Sequence, residues 1–158
     1  MLCEAQGNPA PGSNNLITLD FDTTVCIDVT DVNLFPSPLI VSQGQDFNVA
    51  TKFILAGAWS TSWFANHAIP FTISYYAEPM TGGGPNVLLG AITINTNTGT
   101  SATPPPTLTF DENLTRVTVS PNPLGPGLYR LTATASFSGS ACPWPLNAYL
   151  TGPVLEVY

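Results

Sequence analysis

One histidine, His67, sits in the segment AGAWSTSWFANHA (56–68), with Ser60 and Ser62 close by. An imidazole beside a serine hydroxyl is the minimum for a nucleophile and its base, because the ring can take the hydroxyl proton near neutral pH. A working pair also needs a sharp turn such as GxSxG to present the hydroxyl and an acid to orient the ring, and the sequence encodes neither. Metal-assisted hydrolysis meets a similar obstacle, since one histidine without an HExxH pair cannot fill a catalytic zinc shell. Four carboxylates, Asp20, Asp22, Asp28 and Asp31, crowd the early part of the chain and supply the hard oxygens that calcium prefers. They lack the spacing of a calcium loop, so we read them as a solvated acidic edge that discourages strand pairing. The expectation is a non-enzyme with no cofactor and no resident metal.

The aromatic group Trp59, Trp63 and Phe64, together with Trp144 in CPWP (142–145), is the strongest candidate for binding. Such rings stack on neutral sugars, pack against a second subunit, or fold under their own loop. Subunit contact is the reading adopted, with glycan as the other partner class. Three cysteines, Cys3, Cys26 and Cys142, are too scattered for a zinc site. In an oxidising compartment they allow one disulfide, Cys26 with Cys142 or Cys3 with Cys26; otherwise they are buried thiols.

The charge balance removes whole classes of partner. Lys52, Arg116 and Arg130 are the only basic residues against ten acidic ones, a formal charge of −7. Nucleic acid binding needs several cations to neutralise phosphates, and a polybasic membrane contact needs the same. No apolar run reaches the roughly 18 residues of a membrane span, so membrane insertion is not expected. MLCEAQG has neither the basic nor the apolar region of a secretion signal. Even so, few lysines, many Thr and Asn, and Pro-rich loops favour an extracellular or cell-surface protein.

The elements that must position these residues are strands. With 13 Gly and 16 Pro the chain offers no interval for a helix of ordinary length. LGPGLYRLTATASF (124–137) places Tyr129, Leu131, Ala133, Ala135 and Phe137 on one face of a strand that follows a Gly-Pro-Gly turn. Residues 46–55 put Phe47, Val49, Thr51 and Phe53 on a core face, and 69–76 put Phe71, Ile73 and Tyr75 inward. Further strands are read at 16–22, at 25–29, at 87–95, within 108–110 and 114–120, and at 154–157. Pro36 and Pro38 in NLFPSPLIVSQGQ (33–45) predict an edge segment that breaks and changes sheets before Gly44. The core is expected around Phe47, Val49, Phe53, Phe71, Ile73, Tyr129, Leu131, Ala133 and Leu155.

A Tyr at the head of a long alternating strand resembles the sixth strand of immunoglobulin-like sandwiches, where its hydroxyl pins the preceding corner. FPSPLIVSQGQDFNV, PFTISYY, LLGAITI and PGLYRLTA, in that order, resemble bacterial surface adhesion modules of the CARDB kind over roughly residues 27–158. A weaker similarity runs to lipid-recognition sandwiches of the ML kind. The resemblance implies an all-β, immunoglobulin-like antiparallel sandwich of about seven to nine strands. The division expected is an N-terminal arm and candidate donor strand (1–22) followed by one sandwich domain (23–158). Within the arm, LITLDFD (16–22) has Ile17, Leu19 and Phe21 on one face, as strand donation to a neighbour's sheet edge requires. The functional expectation is a structural subunit of a surface assembly, self-associating into a homopolymer. The alternative is a carbohydrate- or lipid-binding module.

Overall fold

The computed structural model describes residues 18–20, 28–31, 39–56, 63–103, 106–137 and 146–158. Twelve strand segments are present among them: β1 (Thr18–Asp20), β2 (Asp28–Asp31), β3 (Ile40–Val41), β4 (Phe47–Ala50), β5 (Phe53–Ala56), β6 (Pro70–Pro79), β7 (Val87–Asn95), β8 (Thr100–Ala102), β9 (Thr107–Phe110), β10 (Val117–Val119), β11 (Gly127–Phe137) and β12 (Leu146–Val157). The longest helix among the described residues is the single turn α1 (Glu112–Thr115). The density of Gly and Pro accounts for this.

One layer is a five-stranded sheet of order β3-β12-β11-β6-β7, antiparallel except where β3 joins β12. The facing layer is split into β1-β5-β9-β8 and β10-β4-β2. Its two parts share passes of the chain, because β4 runs into β5 through Thr51 and Lys52, and β9 into β10 through α1. Counting β4/β5 and β9/β10 as single passes gives ten strands among the described residues. The sheet change predicted before Gly44 occurs between β2, in one layer, and β3, in the other, whose flank is fixed by the Glu156 N–H donating to the Leu39 carbonyl (2.9 Å); Pro36 and Pro38 lie outside the described residues. Gly44, at φ 76°, then turns the chain back toward β4.

Alternation explains the core. Phe47, Val49 and Leu55 from one layer meet Phe71, Ile73, Leu131, Ala133 and Leu155 from the other, all buried. Tyr129 is half-buried, and its hydroxyl donates to the Gly125 carbonyl (3.0 Å), the corner lock expected from its place at the head of the strand. The side chain of Phe53 lies outside the described residues. Packing is very close at two glycines, within one layer at Gly99 and between the layers at Gly90. A Cβ on Gly99 would sit 2.8 Å from Leu108 Cγ and 2.9 Å from Phe110 Cζ. One on Gly90 would sit 2.6 Å from Val117 Cγ1, so β10 packs against that part of β7.

Two elements depart from the sequence reading. β12 begins at Leu146 rather than Val154, running through Gly152-Pro153. Those residues fall where the register shifts, between the Thr132↔Thr151 and Arg130↔Val154 pairs, so the missing Pro153 N–H breaks no regular ladder bond. Residues 114 and 115, read as the start of a strand, instead close the turn α1. Asp111 caps it, its carboxylate accepting from the N–H groups of Asn113 (3.0 Å) and Leu114 (3.1 Å).

Candidate functional site

Of the residues singled out for assembly, Ile17, Phe21, Trp59 and Trp144 lie outside the described residues, as do Cys3, Cys26 and Cys142 of the disulfide alternatives. Leu19 is placed by its backbone. It sits in β1, which pairs antiparallel with β5 of its own chain in the register Thr18↔Ala56, Leu19↔Leu55 and Asp20↔Ile54. Taken singly, the chain therefore completes this edge itself, as an ordinary first strand would. Donation to a neighbour would make the same ladder between chains.

The loop aromatics divide. Phe64 turns inward, buried, with its ring edge-on to Phe137 at 6.0 Å. This corrects the expectation that it joins Trp63 in a subunit contact, because a side chain inside its own core has no surface to offer. Trp63 is 36% exposed and stacks on His67 at 4.0 Å between ring centroids. The Trp63 carbonyl accepts from the N–H groups of Asn66 and His67 (3.1 Å each) and lies 2.9 Å from His67 Nδ1. A carbonyl only accepts, so Nδ1 is the protonated nitrogen and the histidine is held as a loop staple. Thr96 anchors the far end of this loop: buried, its hydroxyl donates to the His67 carbonyl (2.5 Å) and accepts the Ile69 N–H (3.1 Å). Thr96 falls just past the strand read at 87–95, and a threonine directly after an alternating strand is the signal that could have found it.

A second buried polar group is a three-residue knot where the split layer bends. The Thr115 hydroxyl donates to the Thr51 carbonyl (2.5 Å) and accepts the Thr51 N–H (3.1 Å). The Tyr75 hydroxyl donates to the Thr115 carbonyl (2.9 Å). Between β4 and β5 the backbone leaves one ladder for the next, and Thr115 supplies the bonds that the sheets do not. Burial pushes the Tyr75 phenol well above its usual 10.0, against the opposing pull of its hydrogen bonds to Thr115 and Thr51. A group that resists ionisation only when folded stabilises the fold fully below the unfolded value, and that contribution drains away as pH climbs past it. From Tyr75 alone, stability should fall by about 1.4 kcal/mol per pH unit above pH ~10. Urea midpoints taken from neutral to strongly alkaline pH will show this slope, and Tyr75→Phe should flatten it.

Among the described residues, no three His, Cys, Asp or Glu side chains gather closely enough to hold a metal ion, and no helix is long and apolar enough to cross a membrane. Between the layers, Phe71 touches Phe110 at 5.0 Å and Phe137 at 4.8 Å, so rings occupy the space in which a lipid chain would have to lie there. The surface instead offers strand edges and single exposed apolar side chains, including Met80, Leu88, Leu128 and Tyr149.

The sheet change at β3, the parallel β3–β12 pair, the central β11 and its tyrosine corner define an immunoglobulin-like β-sandwich. No protein-family model matches the chain, and no curated protein matches it.

Proposed function

We propose that this protein is a non-catalytic structural subunit of an extracellular surface assembly, joined to its neighbours by exchange of the N-terminal strand. The observation that carries the reading is the position of β1 among the described residues: outermost in its sheet, three residues long, and paired with β5. A ladder that simple can be made by a neighbour's β1 with identical bonds, which is the condition for swapping an element between copies. Moving residues 1–22 to the next subunit leaves β5 with an open edge, and that edge accepts the strand of another copy in turn. Each junction would bury Ile17, Leu19 and Phe21, worth roughly 1.5–3 kcal/mol per side chain before ordering costs. The scarcity of lysine, the usual edge defence, and a composition suited to export support the same reading.

Light scattering on the full chain should show mass growing with concentration. A chain lacking residues 1–22 should remain folded, stop assembling, and bind an added LITLDFD peptide. A full chain that stays monomeric, together with a truncated one that unfolds, would establish β1 as an ordinary internal strand.

A further inference from the structure

We propose that the free edge of β7 is a homotypic docking edge, through which two copies of this chain pair antiparallel into one continuous sheet. The inference does not depend on strand exchange at β1 and uses the other layer.

Six segments stand at sheet margins among the described residues: β1, β2, β3, β7, β8 and β10. Five of them span two to four residues; β7 spans nine, VLLGAITIN, with no charge and no proline. Natural edges of this length ordinarily carry a lysine, a proline or an inward charge. Here β1 carries Asp20 and β2 carries Asp28 and Asp31. A chain with net charge −7 repels its own copy, so a homotypic contact must avoid apposing carboxylates, and β7 is the long margin that does.

The ladder phase shows what β7 offers. The Thr96 N–H donates to the Ile69 carbonyl (3.0 Å), and the register continues as Phe71↔Ile94 and Ile73↔Ile92. Backbone groups alternate sides along an antiparallel strand, so Ile92 and Ile94 direct theirs to β6, while Ala91, Thr93 and Asn95 direct theirs outward. β10 packs against the strand at Gly90, which leaves 91–95 as the usable stretch. A two-fold axis through Thr93 sets Thr93 against Thr93 of the second copy, and Ala91 against Asn95 of the second copy, each pair exchanging two N–H···O bonds. Between them Ile92 meets Ile94 of the second copy in the closer, non-bonded pairing. Both isoleucines are only half-buried at the core's margin in the single chain, and this contact would cover them. The exposed face stays neutral, with the Thr93 hydroxyl already 2.9 Å from that of Thr72.

The test is sedimentation velocity of the full chain over a wide concentration range, with Ala91→Lys and Thr93→Pro alongside. Both changes fall on outward groups: the lysine brings like charges together across the two-fold, and the proline removes an N–H that β6 does not use. The expected result is a pairing of copies, a closed dimer where it acts alone and a link between strand-exchanged copies where both contacts operate, that each variant weakens by about tenfold or more, at unchanged far-UV circular dichroism. Should the proline variant unfold, Ala91→Lys decides. A wild type that remains monomeric overturns the proposal, as does a dimer indifferent to Ala91→Lys. Open-ended growth that disappears on removing residues 1–22 and ignores both substitutions would assign association to strand exchange alone.

Discussion

Replacing Phe71 with alanine should remove about 3–5 kcal/mol of stability, the range for deleting a large buried aromatic side chain. Phe71 is fully buried on β6 and holds its own sheet partner and the facing layer through two geometries. Its ring stacks on Phe137 of β11 (4.8 Å, 20°) and meets Phe110 of β9 edge-on (5.0 Å, 76°). Phe64 then closes on Phe137 from the loop. Alanine here leaves a void bounded by rings on two rigid sheets, and close-packed interiors relax into such voids only partly. A domain holds roughly 5–15 kcal/mol in total, so this one change removes a large part of it. Phe71→Leu keeps most of the volume and should cost about 1–1.5 kcal/mol. Urea denaturation separates the two: equal losses would mean that the site collapses and the aromatic contacts contribute little beyond volume.

The strands of this fold were legible where a single face is buried. Val87–Asn95 matches its sequence reading at both ends, and Phe71, Ile73 and Tyr75 turn inward as their spacing of two predicts. Tyr129 was readable down to its hydrogen bond, because a turn followed by a tyrosine and an alternating strand specifies a local geometry. The misses share a cause: a local signal outweighed by a distant partner, or the reverse. Gly152-Pro153 fell outside the strand read at 154–157, yet a bulge opposite Leu131 makes room for it within β12. Asp111 converted an apparent strand start into a helical turn by capping it. Phe64 could not be told from Trp63 by type, since which ring of an adjacent pair enters the core depends on where the loop crosses Phe137. The assembly residues were readable only as an apolar face at 17, 19 and 21. Sequence does not say whether that face meets its own sheet or another chain's, because the ladder is the same in both.

Thr115 was invisible in the sequence, one threonine of many, yet its replacement by valine should cost about 2–5 kcal/mol. The two side chains have nearly the same shape, so the loss comes from the hydroxyl and not from volume. That hydroxyl serves both backbone groups of Thr51, as acceptor at 3.1 Å and donor at 2.5 Å, and both threonines are buried. Valine would take both of these bonds from the Thr51 backbone at the buried β4–β5 bend, and losing a buried hydrogen-bond partner costs about 1–3 kcal/mol. Thr115→Ser keeps both bonds and should lose only about 0.8 kcal/mol for the missing methyl. Tyr75 reaches the Thr115 carbonyl, so the Thr115→Val and Tyr75→Phe losses should fail to add, with a coupling of about 0.5–3 kcal/mol in a double-mutant cycle. Urea unfolding of the four proteins at neutral pH measures it. If valine and serine at 115 prove equally stable, the bend is held by packing and the polar knot contributes nothing net.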